Sequence, residues 1–427
     1  MVDTSSPLAL YFHIPWCRVR CGYCDFNTYV TDTTDPANTA PYVEALRREI
    51  RWAAKILGPR WVKTVYVGGG TPSLMSTVDL GRLIASVRRH FDLDDTAEIS
   101  LEANPESLSP EWLSDARDLG VNRLSLGMQS AVPKVLATLD RQHTPGRVVE
   151  AVDWARRAGF DNLSLDLIYG TPGESMADWE TSLVTALSLK PDHVSAYSLI
   201  VEPGTPLAKR VAAGELAAPD EDELADKYTQ ADRLLSTVGL NWYEVSNWAR
   251  PGRECRHNLV YWRSGDWWGF GAGAHSHVDG TRWWNVKRPA TFIGRLDQAG
   301  SPMQGQEHLT KTERHEEAVM LKLRLADGIA ATELGDEEWE RAERYIQSGH
   351  LVATGGRLVC TLSGRLIADA IARDLLVAGD RPRRLWRAPE VGNDSSSLLI
   401  DATVALPPQW VEALQKAELS GGHTGDD

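Results

Sequence analysis

The chain has no apolar run of eighteen residues anywhere in its 427 positions, so a membrane-crossing helix is not expected. Its first residues, Met1–Pro7, are short and polar. They lack the basic-then-apolar order of a secretory signal, and no signal peptide is expected. Cysteine is scarce, with five residues at positions 17, 21, 24, 255 and 360. Three are crowded together, two stand alone, and the count is odd, which makes a poor disulfide framework and points to a reducing cytoplasm. No Lys/Arg-rich stretch occurs and the net charge is −14. A broad nucleic-acid surface needs clustered cations and is therefore not expected. The 42% apolar and 24% charged fractions exclude collagen, coiled coil and bulk disorder.

Short β-branched apolar runs alternate with helical patterns through the first half. Strands are predicted at Ala9–Ile14, Thr64–Val67, Glu98–Glu102, Arg123–Gly127, Asn162–Ile168 and His193–Leu199. Helices are predicted around Ala40–Ile56, Val78–Phe91, Pro110–Leu119, Gly146–Ala158 and Met176–Leu189, with another over 219–240. This alternation predicts an α/β fold of parallel βα units. The pattern alone does not choose between a partial βα-barrel and a doubly wound sheet. Either would gather chemistry at the C-terminal ends of the strands. There the sequence places Cys17, Gly68–Thr71, Glu102–Pro105 and Gln129. A Trp- and Gly-rich segment from Trp242 to Trp284 follows, with a loop-like middle over Gly265–Gly273. From Leu309 to about Leu376 the pattern reads helix, helix, short Gly-punctuated strands (Leu351–Val352 and Leu358–Cys360), helix. The expected division is a barrel core over 1–240, the Trp/Gly-rich segment over 241–300, a small helical, winged-helix-like domain over 301–385, and a mobile tail over 386–427 with one short helix near Trp410–Glu418.

The most specific signal is Cys17-Arg-Val-Arg-Cys21-Gly-Tyr-Cys24, a C-x3-C-x2-C spacing. Three thiolates on one loop can each hold one iron of a cubane, leaving the fourth iron free for a small-molecule ligand. Arg18 and Arg20 would favour the thiolate forms. Two alternatives stay open on spacing alone. One is a zinc site that recruits His13 as fourth ligand, and the other is three incidental buried cysteines.

Tyr11-Phe-His-Ile-Pro-Trp-Cys17 and Cys24-Asp-Phe26, together with the triplet, resemble the radical S-adenosylmethionine (SAM) superfamily. Within it, residues 8–375 resemble the oxygen-independent coproporphyrinogen III oxidases and their relatives, the HemW-type haem chaperones. The resemblance implies a partial (β/α)6 TIM-like barrel and a [4Fe–4S] cluster on Cys17, Cys21 and Cys24 whose free iron chelates SAM. It implies SAM contacts from Gly69, Gly70 and Thr71 in Gly-Gly-Gly-Thr-Pro, Glu102 in Leu-Glu-Ala-Asn-Pro, Gln129 in Gly-Met-Gln-Ser, Arg141 in Asp-Arg-Gln-His, and Asp166, placed for ribose hydroxyls; Tyr11 matches a further SAM contact. The plain alternatives are a tight turn for the glycines, satisfied polar residues at strand ends, and a core tyrosine.

Two departures from the oxidase pattern point to the chaperone branch. The oxidases carry a further cysteine where this chain has Phe26, and a long arm ahead of the cluster where only sixteen residues precede Cys17. A third feature agrees: His257-Asn258-Leu-Val-Tyr261-Trp262 matches the chaperones' H-N-x-x-Y-W motif. Imidazole can ligate haem iron, and Tyr and Trp offer flat apolar faces to a porphyrin. An aromatic cluster packing the barrel mouth is the alternative for these residues. For Cys255, iron ligation competes with simple burial. The resemblance thus implies a haem chaperone, with coproporphyrinogen III decarboxylation as the enzymatic alternative. It implies haem-accepting partners, a respiratory component being one candidate, and an electron donor such as a flavodoxin or ferredoxin. Gly269–His277 has the glycines of a dinucleotide fingerprint without its strand–turn–helix context, and is discounted. His275 and His277 are expected on alternate sides of an extended segment, which counts against a shared metal.

Overall fold

The computed structural model describes residues 6–298 and 300–376. The tail called over 386–427, with its helix near Trp410–Glu418, lies outside them. Six parallel strands pair in chain order: β1 (Leu8–Ile14), β2 (Trp61–Gly69), β3 (Asp92–Ala103), β4 (Arg123–Gln129), β5 (Leu163–Tyr169) and β6 (His193–Ser198). A doubly wound sheet would reverse direction at a switch point. Sequential order decides for the open, partial barrel.

Helices α1 (Ala40–Leu57), α2 (Thr77–His90), α3 (Pro110–Asp118), α4 (Pro145–Arg157), α5 (Met176–Ser188) and α6 (Glu221–Thr237) form the outer layer. Their starts are written locally: Ser76, Ser109 and Asp220 cap the first turns of α2, α3 and α6, Ser175 and Asp178 form a capping box on α5, and Pro opens α3 and α4. Strand period two divides the side chains. Leu10, Phe12, Val65, Val67, Leu124, Leu126 and Leu165 join the helices in the main apolar core. The alternate residues, among them Tyr11, Tyr66, Glu102, Arg123, Ser125, Asp166 and Ser195, line an interior cavity.

The Trp/Gly-rich segment extends this same sheet. Beyond β6 lie β8 (Asn247–Ala249) and β7 (Asn241–Glu244). On the other side β1 pairs in parallel with β9 (Asp266–Phe270), which leads to β10 (His275–Val278), β11 (Thr281–Asn285) and β12 (Met303–His308). The loop expected over Gly265–Gly273 is therefore corrected: its first half is a strand. Trp268 and Phe270 supply buried, β-prone side chains. Gly269 is needed because a Cβ there would lie 2.1 Å from the His275 carbonyl oxygen. His275 is exposed and His277 buried on β10, but two residues apart on one strand they share a face, which corrects the expectation of opposite sides. The C-terminal unit combines helices Lys311–Lys322, Asp336–Gln347 and Ala368–Leu375 with a three-stranded sheet of Ile329–Ala330, Leu351–Thr354 and Arg357–Cys360, around its own apolar core.

Candidate functional site

The interior cavity measures about 710 Å³, a size suited to a cofactor. At its mouth the chain leaves β1 into the cysteine loop. Cys17 is 9% exposed, Cys21 and Cys24 are half-buried, and all three thiols are free and face the cavity. The loop is laced to the glycine turn after β2: Gly70 N–H donates to the Ile14 carbonyl and Thr71 N–H to that of Trp16, each at 2.7 Å. The Thr71 hydroxyl lies 3.8 Å from Cys17 Sγ. Gly70 is required by close approach, since a Cβ would fall 2.5 Å from the Trp16 carbonyl oxygen and 3.1 Å from Cys17 Sγ.

Burial pushes the Cys17 and Cys24 thiols above their ordinary range, outweighing the cations beside them. Arg20 does favour the Cys24 thiolate as expected, but burial outweighs it. The cation that reaches a cluster sulfur is Arg141, whose Nη1 sits 3.6 Å from Cys21 Sγ, while its Nη2 donates to Gly127 O at 3.0 Å. The zinc alternative loses its fourth ligand. His13 is engaged at both nitrogens, Nε2 with Asn27 O at 2.9 Å and Nδ1 with the Tyr11 hydroxyl at 3.1 Å. Among the described residues no three or more His, Cys, Asp or Glu converge on one metal ion. A cubane instead takes each thiolate on a different iron. Three cavity-facing thiols beside a guanidinium fit that group. When bound, it would supply a one-electron centre at the cavity mouth.

Every other residue expected to contact SAM lines the same cavity. Glu102, at the end of β3, accepts from the Tyr66 hydroxyl at 2.8 Å and from Gly69 N–H at 3.0 Å. Enclosure raises its carboxyl to about 7, helped by the nearby Asp166 charge. Asp166 accepts from the Ser125 hydroxyl at 2.9 Å, and burial raises it too. Gln129 ends β4 at a register shift with φ of 62°, a left-handed conformation that costs a non-glycine residue about 1 kcal/mol. The strain falls at a cavity residue. Gly127 makes room there: a Cβ would meet Gln129 Nε2 at 2.8 Å and Arg141 Nη2 at 3.1 Å.

The H-N-x-x-Y-W motif forms α7 (Arg256–Trp262). It packs at the cavity floor, toward the strands' N-terminal ends, rather than at the mouth. Glu98 of β3 caps it, accepting from Arg256 N–H at 2.9 Å and His257 N–H at 3.1 Å. His257, Asn258 and Tyr261 share one helix face and line the cavity. Trp262, one turn beyond Asn258, does not line the cavity. His257 is 1% exposed, with Nδ1 at 2.9 Å from the Thr64 hydroxyl and Nε2 at 2.8 Å from that of Tyr261. Burial lowers its pKa to about 3, so the ring is neutral. Cys255 is buried, its thiol 3.6 Å from Glu98 and raised to about 12.

Sequence reasoning passed over Tyr66, Glu98, Arg123, His193 and Tyr243. Arg123 is a 2% exposed guanidinium lining the cavity floor, where the nearby Glu98 carboxylate offsets its desolvation. The signal was present: stepping back by twos from Gln129 passes Gly127 and Ser125 to Arg123.

The profile of the radical SAM superfamily matches residues 11–185, and that of the HemN C-terminal domain matches 309–367. The protein named heme chaperone HemW of Mycobacterium tuberculosis (strain ATCC 25618 / H37Rv) is 52% identical over 371 residues, spanning 87% of this chain and 95% of its own length. The chain belongs to the radical SAM superfamily, in its HemW branch. The HemW of Escherichia coli (strain K12) is 36% identical across 86% of this chain and 97% of its own, and that of Bacillus subtilis (strain 168) 38% identical across 75% and 84%. Among solved structures, the coproporphyrinogen III oxidase HemN of Escherichia coli superposes with a TM-score of 0.75 at 24% identity, over 87% of this chain and 90% of its own. That likeness establishes the fold. Membership of the superfamily implies a [4Fe–4S] cluster and SAM. Among the described residues no helix is long and apolar enough to cross a membrane.

Proposed function

We propose that this chain is a cytoplasmic haem chaperone that holds a [4Fe–4S] cluster on Cys17, Cys21 and Cys24, holds SAM in the barrel, and passes haem to acceptor proteins. Tyr11, Gly69, Gly70, Thr71, Glu102, Gln129, Arg141 and Asp166 are the proposed SAM contacts. His257, Asn258, Tyr261 and Trp262 are the proposed haem-associated residues. An electron-donor protein, a flavodoxin or ferredoxin, and a haem acceptor, a respiratory component for example, complete the reading. The observation that carries it is the single cavity lined both by the three cysteines and by the face of the H-N-x-x-Y-W helix. Phe26, 59% exposed on that cavity's rim, stands where the oxidases have a cysteine. The geometry adds a condition. Iron can reach His257 Nε2 only if the Tyr261 hydroxyl leaves it.

The test is anaerobic reconstitution followed by haem titration, read at the Soret band, with coproporphyrinogen III offered in parallel under reducing conditions with SAM. Stoichiometric haem binding without a decarboxylated product supports the chaperone. SAM-dependent protoporphyrinogen makes the chain an oxidase.

A further inference from the structure

Both ring nitrogens of His257 are spent inside the protein, and its ring is almost wholly enclosed. Such a group is better built to hold something than to receive it. What it holds is Tyr66: the two rings stack with centroids 5.1 Å apart and planes 26° from parallel. Tyr261 braces the imidazole edge-on, at 5.1 Å and 85°. The Tyr66 hydroxyl in turn donates to Glu102 Oε1, whose other oxygen takes the Gly69 N–H of the glycine turn.

We propose that His257 is a positioning residue for SAM: it fixes the Tyr66 ring, and through the Tyr66 hydroxyl it holds the Glu102 carboxylate in place for the ligand. The inference rests on reading Glu102 as a SAM contact. The imidazole cannot reorient cheaply. The Thr64 hydroxyl lies at Nδ1 and the Tyr261 hydroxyl at Nε2, so one ring nitrogen serves as donor and the other as acceptor in either tautomer. A carboxylate carried on β3 could otherwise swing to another rotamer within the cavity. With Tyr66 pinned, one oxygen is committed to the phenol and one to the glycine turn, and the remaining lone pairs face the cavity. The floor motif then serves the SAM end of the barrel with no haem present.

The test uses the full-length, anaerobically reconstituted protein without haem, titrated with SAM by calorimetry and by the perturbation of the reduced cluster's electron paramagnetic resonance signal. His257→Ala is expected to weaken SAM roughly tenfold, the scale of one lost hydrogen bond to a charged group. Tyr66→Phe is expected to do the same, and the double variant to be no worse than Tyr66→Phe alone, because the histidine acts through the phenol. His257→Gln, which can bridge Thr64 and Tyr261 as donor and acceptor, should restore most of the affinity and keeps the test open where the alanine variant fails to fold. Unchanged SAM affinity in His257→Ala, with Glu102→Gln weakening it, overturns the positioning role and leaves the SAM reading standing. Additive losses in the double variant overturn it too. Unchanged affinity in Glu102→Gln removes the SAM reading and the inference together.

Discussion

The guanidinium of Arg141 stands 3.6 Å from the sulfur of Cys21, across 120 residues of chain. Its other amino group donates to Gly127 O, so it is held by the end of β4. An N–H group beside a cluster sulfur favours the reduced, more negative state. Arg141→Met is expected to lower the iron content per chain after reconstitution and to shift the cluster's reduction potential to a more negative value. Arg141→Lys should recover part of the charge effect without the forked geometry. Iron analysis and a potentiometric titration check both.

Glu102 makes SAM binding dependent on pH. Its carboxyl is raised from 4.5 to about 7 by enclosure, while contact with a ligand that carries positive charge, as SAM does, favours the ionised form. SAM affinity is expected to fall as the pH drops through about 7, with protons released on binding, measurable by calorimetry in buffers of different ionisation enthalpy. Glu102→Gln should weaken binding and flatten this profile. The sign for stability is the reverse. The folded chain holds the proton that the unfolded chain gives up near 4.5, so this stability is fully present below about 4.5 and is lost as the pH rises through about 7. The ligand-free protein should therefore gain thermal stability on acidification across that window, and Glu102→Gln should lose this trend.

Gly70 and Gly146 give opposite expectations for the same substitution. Gly70→Ala drives a methyl into the Trp16 carbonyl and toward Cys17 Sγ, and overpacking of this kind costs about 2 kcal/mol. Melting temperature and cluster retention should fall together. Gly146, in the first turn of α4, meets nothing nearer than Thr144 Oγ1 at 4.0 Å. Gly146→Ala should stabilise the chain by about 0.5–1 kcal/mol through helix propensity and unfolded-chain entropy. Thermal unfolding of the two variants side by side checks both signs.

The barrel was legible because its six strands carry apolar residues on the helix side and its helices start at Ser, Asp or Pro signals. The mouth was legible because Cys17, Gly70, Glu102 and Gln129 each follow or end a strand. Three things were not. Strand β9 hid behind Gly265, Gly269 and Gly271, since glycine reads as a loop unless the pressing neighbour, here the His275 carbonyl, is known. The floor residues Tyr66, Arg123 and His193 looked like ordinary members of apolar strands, because period two assigns faces without saying which face encloses a cavity. The depth of the motif helix is not written in its sequence, and only the long-range contacts of Glu98 and Thr64 with His257 put it at the floor.

The seat of the C-terminal unit depends on Arg365. Its guanidinium pairs bidentately with Asp232 of α6, at 2.9 and 3.1 Å, and lies 4.2 Å over the Trp242 ring. Asp232 also accepts from Trp248 Nε1 at 2.9 Å. Both partners are largely buried, so Arg365→Ala strands a carboxylate inside the junction, a change that costs about 3 kcal/mol. Arg365→Lys should recover little, because an ammonium neither forks onto the carboxylate nor stacks flat on the indole. The effect should also reach the cavity. Ala326 N–H donates to the Tyr243 carbonyl at 2.9 Å and Leu325 bridges to Glu244, and Tyr243 lines the cavity beside Arg123. Hydrogen exchange should therefore rise in Arg365→Ala over both 309–376 and 241–249. Faster exchange in the first range alone would show that the C-terminal unit loosens without disturbing the barrel floor.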